Sequence, residues 1–465
     1  MNLRRLVFGL SLLIVLALAL SACAAPAPAP APQAPAEQPA EQPAEQPAEQ
    51  PEAAEAPVTI TFWHAMSGSR GEVVTDLVDT FNAKFPQYKV EAEYTGSYAE
   101  TLTKALAAYK AGKPPTIVQV YEVGTQTMLD SGAIIPVYTL NKGEVDWNEV
   151  VDPIRKYYSV GGNLYCMPFN SSTAMLYYNK DMFRAAGLDP DKPPTTWTEV
   201  EEYGKKIIEA GVAEGGFSMG WPAWIFEQMF AYHDQYYANN SNGREGRATE
   251  VLFNSDFGVM VMTEWQRMAQ EGVLVYGGRT YKANDPFLAG QFAMLFQSAS
   301  SLAGILKKAE FEVGTAFLPR FEGDYPKGNS VVGGGCLWLM DGATPEQQEA
   351  AWEFFKYSFT PERAKIWHKG TGYFPTSITA YKELQEEGWF DEEPNHATAF
   401  NQILSGSDDL AARGVLLGNF VQIRDITGTA IEDIVVNGMD PKEVLDRAAA
   451  EANQVLADYI SIYGQ

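Results

Sequence analysis

The chain has 465 residues, with 34 basic and 59 acidic side chains and a net charge of −25. Residues 1–57 carry two of the arginines and six of the glutamates, so the remaining 408 residues keep 32 basic against 53 acidic groups, net −21. That acidity excludes nucleic acid and an anionic membrane surface as partners of the folded part. A small anionic ligand stays open, because a few local donors outweigh distant, screened charge.

The N-terminus opens with Arg4-Arg5, continues as the apolar run LVFGLSLLIVLALAL and ends at Leu20-Ser21-Ala22-Cys23. A basic start, a short apolar stretch and small residues before a cut describe a secretory signal over residues 1–22. An uncleaved anchor is the alternative, but the run falls short of the roughly 20 residues a membrane span needs. Residues 24–57 are low-complexity, APAPAPAP followed by tetrads of EQPA or a near-equivalent, with almost nothing to bury. At about 3.1 Å per residue where polyproline conformation holds, they reach on the order of 100 Å. A tether over 23–57, starting at Cys23, is the expectation.

The folded part begins with alternation. VTITFW (58–63) reads as a strand, 71–85 as a helix with Val74, Leu77, Val78 and Phe81 at helical spacing, and Pro86 as its stop. A strand over 88–94, a helix over 98–110 and the apolar strand TIVQVY (116–121) follow. Strand and helix alternating at these lengths predict a parallel βαβ sheet, with ligand sites beyond the carboxyl ends of its strands. Tyr98 and Glu122 each stand just past such an end.

AMLYY (174–178) is the next strand, running into a short helix over 180–186. Thr196 with Glu199 forms a capping box for a helix over 197–210. An aromatic-rich stretch (220–236) holds Trp221 and Trp224, 239–247 is a polar loop, 254–271 a helix and 291–296 a short buried strand. Another strand-like piece lies between Lys308 and Phe321, and the tail is helical over 345–359, 361–368 and 441–459. PFNSS (168–172) and GGGCLWLM (333–340) read as hinge-like runs, and the late QIRD (422–425) is read with them. With WHKGTGYFPTS (367–377) they offer aromatics, hydroxyls, glycine N–H groups and one arginine, equipment for holding a small polar molecule without reacting with it. Cys166 and Cys336 are the cysteines left after Cys23; export permits a disulfide, but their pairing cannot be read from sequence.

Several runs occur together and in order: FWHAMSG (62–68), QVYEVGT (119–125), PFNSST (168–173), LYYNKDMFRAAGLDP (176–190), GWPAW (220–224), VVGGGCLWLM (331–340), WHKGTGYFPTSITAY (367–381) and LGNFVQIRD (417–425). In this the chain resembles the solute-binding lipoproteins of ABC importers, over essentially all of 58–465, and within them the glycerol-phosphate branch. The resemblance implies a thiol at Cys23 that is lipidated and anchors the exported protein to the outer face of the cytoplasmic membrane. It also implies an α/β flytrap, the two-lobe periplasmic-binding-protein fold, with discontinuous lobes: 58–171 with 298–331, and 172–297 with 332–465. The hinge crossings would then fall near 170–173, 296–300 and 332–335. The implied partners are an ABC permease and a small ligand, sn-glycerol-3-phosphate or a glycerophosphodiester such as glycerophosphocholine. It implies a monomer without cofactor or metal. A sugar or oligosaccharide on the same fold is the alternative.

The ligand residues the resemblance implies are Tyr98, Glu122, Ser172, Trp221, Ser298, Gly334, Tyr373 and Arg424. Arg424 would be the guanidinium fork for phosphate, Glu122 the acceptor for glycerol hydroxyls and Trp221 the flat face for its carbon edge. Tyr373 and Ser298 would donate hydroxyls, Ser172 would bond either end of the ligand, and Gly334 would admit close approach to its N–H. Each has a plainer reading: Arg424 as a surface pair with Asp425 or Glu432, Trp221 and Tyr373 as core, Ser172 as a strand edge, Gly334 as a turn and Glu122 as a solvated loop acid. Ser300 or Ser301 stands beside Ser298 as an alternative hydroxyl. Gly335-Cys336 departs from the small-residue/serine pair expected there. Nothing reads as catalytic: the four histidines are far apart, and no HExxH, GxSxG, GxxxxGK[ST] or GxGxxG run occurs. His64 and His368 read as hydrogen-bonded structural groups.

Overall fold

The computed structural model describes residues 56–464. The secretory signal, Cys23 and nearly all of the tether expected from the sequence lie outside the described residues.

Two sheets organise the chain. In the first, Val58–His64 runs parallel to both Tyr88–Tyr94 and Ile117–Tyr121, linked by the helices Ser69–Lys84 and Tyr98–Lys110, which is the expected βαβ unit. Gly333–Met340 then pairs antiparallel with Ile117–Tyr121, with Ile134–Ile135 and with Met167–Ser172. In the second, Phe292–Ser298 lies parallel to Gly215–Met219 and antiparallel to Ala174–Asn179, whose other edge takes Val313–Ala316. The central strands are buried along their whole length, as sheets covered on both faces must be.

Local chemistry explains the helices. Ser97 and Glu100 close a capping box at the start of Tyr98–Lys110, and Thr196 with Glu199 does the same for Trp197–Glu209. The first core gathers Phe62, Phe81 and Phe354, with the last two rings edge-on at 5.2 Å. The second packs Trp197 against Phe217, Trp265 and Phe296.

Strand pairing departs from the expected lobe boundaries in two places. Val313–Ala316, placed by sequence in the first lobe, pairs with Ala174–Asn179 of the second sheet. Gly333–Met340, placed in the second lobe as a hinge run, is an interior strand of the first sheet, paired on both edges. The chain therefore passes between sheets at Thr173, which joins consecutive strands of the two sheets and donates to the Val331 carbonyl at 2.9 Å. It returns at Val331, which is held by both ends of the Gln228 amide (2.9 and 3.0 Å). It passes a third time near Phe374, whose N–H donates to the Ser171 carbonyl at 3.0 Å, beyond the helix Pro361–Thr371. The expected crossing near 296–300 is instead the end of a strand that stays in the second sheet.

Cys166 and Cys336 are joined as a disulfide across the first sheet, with Cα atoms 5.8 Å apart and 170 residues between them in sequence.

Candidate functional site

A cavity lies where the crossings meet, between the two sheets. All eight residues assigned by resemblance line it, together with Tyr121, Trp224, Tyr281, Ser300 and Gly333.

The first-sheet side comes from strand ends. Tyr98 opens its helix and stacks on Tyr121 at 5.1 Å, nearly parallel. Its hydroxyl lies 3.2 Å from that of Tyr373 and 2.8 Å from the Asn170 amide. Tyr373 is placed by Gly372, which ends the helix Pro361–Thr371 in the left-handed conformation (φ 87°). Gly333 and Gly334 bring backbone to the cavity wall. A Cβ on Gly333 would fall 2.5 Å from the Trp224 ring, and one on Gly334 (φ 93°) 1.9 Å from the Asn170 carbonyl. Glycine is required there by close approach, so the run is both a strand and a wall of the cavity.

The second-sheet side is built around Trp221. This residue holds φ 54° and ψ 51° immediately before Pro222 and caps the helix Pro222–Tyr232. A left-handed tryptophan ahead of proline is strained, and such strain gathers where a side chain must be aimed. Its indole meets the Tyr281 ring at right angles, 5.2 Å between centroids. Four hydroxyls form a line across the two sheets. Ser172 and Ser298 are 3.0 Å apart, Ser298 and Ser300 2.9 Å, and Ser300 and Tyr281 3.3 Å. Of the three serines that the sequence left open, Ser298 and Ser300 line the cavity and Ser301 is not among the lining residues.

Arg424 lines the cavity and is also ion-paired. The fork assigned to phosphate is occupied: Nε and Nη2 donate to the two Glu227 oxygens at 2.7 and 2.6 Å, and Nη1 donates to Glu122 at 2.6 Å. Its partners are neither Asp425 nor Glu432; Glu432 pairs with Arg279. Of five guanidinium N–H groups, three are committed and two stay free to meet a ligand. Burial disfavours the Arg424 charge, but Glu227 and Glu122 more than offset it and hold the group far into its protonated range. Burial likewise pushes Glu227 above the usual carboxylate range, against the pull of Arg424. One guanidinium and two carboxylates leave this cluster with a net charge of −1 when all three are ionised.

Glu227 and Tyr281 escaped the sequence reading. Glu227 had a signal, since Trp224 and Glu227 are three apart on one face of the helix that starts at Pro222. The four histidines lie off the cavity lining. Burial holds His64, His233 and His396 near pKa 4, and burial with the neighbouring His396 holds His368 near 3. His368 bonds the Tyr373 carbonyl through Nδ1 (2.8 Å) and accepts from Trp389 at Nε2 (3.2 Å), a structural histidine that positions Tyr373.

Residues 76–398 match the family described as bacterial extracellular solute-binding protein. The chain belongs to that family. The sn-glycerol-3-phosphate-binding periplasmic protein UgpB of Escherichia coli K12 is 37% identical over 411 residues, covering 87% of this chain and 93% of the relative. The protein of the same name from Shigella flexneri serotype 5b is equally similar, at 37% over the same spans. Among solved structures, UgpB from Mycobacterium tuberculosis in complex with glycerophosphocholine superposes with a TM-score of 0.75 at 22% identity, covering 86% of this chain and 99% of that one. The maltose-bound MalE3 of Thermotoga maritima superposes at 0.70 with 19% identity, covering 86% and 100%. The fold is that of the two-lobe periplasmic binding proteins.

Proposed function

We propose that this protein is the extracytoplasmic binding component of an ABC importer, taking sn-glycerol-3-phosphate or a glycerophosphodiester between its lobes and delivering it to a permease. The observation that carries the reading is the convergence of eight residues from eight separate stretches of chain on one cavity, in a protein 37% identical to glycerol-3-phosphate-binding proteins. Glu122 accepts from the glycerol hydroxyls, Trp221 covers the carbon edge, and the two free N–H groups of Arg424 donate to ligand oxygens. Tyr98, Tyr373, Gly334 and the serine line complete the donors. No group in the cavity is asked to transfer a proton or attack a bond, so the reading is of capture without catalysis.

We read the lobes from the strand pairing, 58–172 with 333–371 as one and 174–331 with the chain from 377 as the other. Contacts across them, Glu122 with Arg424 and Ser172 with Ser298, favour a closed form that a ligand touching both sides stabilises. The N-terminal 57 residues are read as a signal, a lipidated Cys23 and a tether that keeps the monomer near its permease.

A sugar-binding role is the second reading, favoured by the maltose-bound neighbour of the same fold. Calorimetric titration of the full chain with glycerol-3-phosphate, glycerophosphocholine and maltose separates the two. Saturable heat with either phosphate compound and none with maltose is the expected result. Binding of maltose alone would retire the phosphate ligand and leave the fold standing.

A further inference from the structure

The cluster that was expected to bind phosphate is itself anionic, because Glu122 and Glu227 together outweigh Arg424. A phosphate brought into a cavity beside a cluster of net charge −1 meets repulsion unless another cation faces it. Among the described residues, Arg70, Arg244 and Arg320 are the arginines that form no salt bridge with a carboxylate. Arg244 donates to the carbonyls of Gly414, Tyr157 and Lys156, and Arg320 to those of Tyr232 and Pro326. Both are backbone clamps. Arg70 is different. Its one acceptor is the Tyr281 hydroxyl, 3.0 Å from Nη1, and its guanidinium carbon lies 4.8 Å from the centre of the Tyr281 ring. Four of its five N–H groups therefore have no protein acceptor.

Its position is also directed. Tyr281 lines the cavity, edges the Trp221 indole and continues the hydroxyl line through Ser300 to Ser298. Tyr98 and Tyr373 lie within electrostatic range of the same guanidinium. Arg70 stands in the first turn of Ser69–Lys84, whose cap residue Gly68 supplies no side-chain bond. A cation at the positive end of a helix is unfavourable by itself, and an anion seated between them offsets both charges. Arg70 comes from the first-sheet side and Tyr281 from the second, so their bond spans the cleft as Glu122–Arg424 does.

We propose that Arg70, held by Tyr281, forms the anion end of the cavity and sets its preference for a phosphate-bearing ligand, while Arg424 and Glu122 form the hydroxyl end. This rests on the phosphate reading of the site given above. It makes Arg70 a specificity-determining residue: a neutral polyol or sugar gains little from it, and a phosphomonoester, with a charge approaching −2 near neutrality, gains more than a singly charged diester.

The test is calorimetry on the full chain and on Arg70→Gln, Arg70→Lys and Tyr281→Phe, each titrated with glycerol-3-phosphate and glycerophosphocholine. Melting temperatures without ligand check that each variant is folded. Arg70→Gln is expected to weaken glycerol-3-phosphate by roughly 10- to 100-fold, the loss of a charge-assisted contact, and glycerophosphocholine by less. Arg70→Lys should recover part of the loss, and Tyr281→Phe should give a smaller one. A folded Arg70→Gln within about twofold of the parent for glycerol-3-phosphate would overturn the proposal alone and leave the ligand standing. So would equal weakening of both ligands with no recovery in Arg70→Lys. A parent protein that binds neither phosphate compound would overturn the functional reading and this proposal with it.

Discussion

Arg424→Met removes the cation that holds two buried carboxylates while keeping most of the side-chain length. The side chains of Glu122 and Glu227 are 7% and 5% exposed and that of Arg424 12%, so solvent does little to replace the lost charge. Breaking a buried pair by deleting one partner costs about 3–5 kcal/mol, and two stranded acids place this case at the upper end. The pH dependence gives the sign. Burial already pushes Glu227 up, and without Arg424 nothing opposes it, so stability is retained at low pH and lost as pH rises through the folded value. The variant should trail the parent most at pH 7.5 and least at pH 5, by up to about 1.4 kcal/mol per pH unit. Urea denaturation of both proteins at several pH values measures the difference, in which titrations common to both cancel. Adding Glu227→Gln to Arg424→Met should restore about 1–3 kcal/mol. A penalty below about 1 kcal/mol with no trend in pH would refute the reasoning, since it would mean the acids are solvated.

Other parts of the account give sharper single tests. Replacing Cys166 and Cys336 by alanine opens a closure spanning 170 residues and should cost about 2–5 kcal/mol in denaturant, an effect that reductant reproduces in the parent and not in the variant. Gly334→Ala puts a Cβ 1.9 Å from the Asn170 carbonyl at φ 93°, so melting temperature and ligand affinity should both fall, whereas Gly132→Ala, also at positive φ but in open space, should lower melting temperature alone. The four histidines have folded pKa values near 3 to 4, below the unfolded value near 6.5. The unfolded chain therefore binds more protons between these limits, and stability should decline as pH falls from about 6.5 towards 4. A melting temperature that stays level from pH 7 to pH 5 would contradict that assignment.

What the sequence disclosed follows from the range of the interactions involved. Alternation and helical spacing are local, so the strand–helix–strand unit from Val58 to Tyr121 and the Thr196–Glu199 capping box stood in view. Gly333–Met340 did not: three glycines read as a turn, and its partners are strands more than a hundred residues upstream. The lobe boundaries moved for the same reason, since the pairing of Val313–Ala316 with Ala174–Asn179 leaves no local trace. Motif resemblance brought eight cavity-lining residues to attention where each taken alone reads as core or surface. The plainer reading of Arg424 failed because its partners are not the nearest acids in sequence, Asp425 and Glu432; Glu122 and Glu227 lie 302 and 197 residues away. Arg70 and Tyr281 belong to no quoted role, and only folding sets Arg70 against Tyr281, which lines the cavity.

The central claim is that the cavity between the two sheets holds a phosphate-bearing polyol. A crystal structure of the protein grown with glycerophosphocholine tests it most directly. The account predicts the glycerol hydroxyls on Glu122, their carbon edge against Trp221 and the phosphate beside Tyr281 and Arg70. Ligand bound outside this cavity, or seated in it with the phosphate against Glu122 and Glu227, would contradict it.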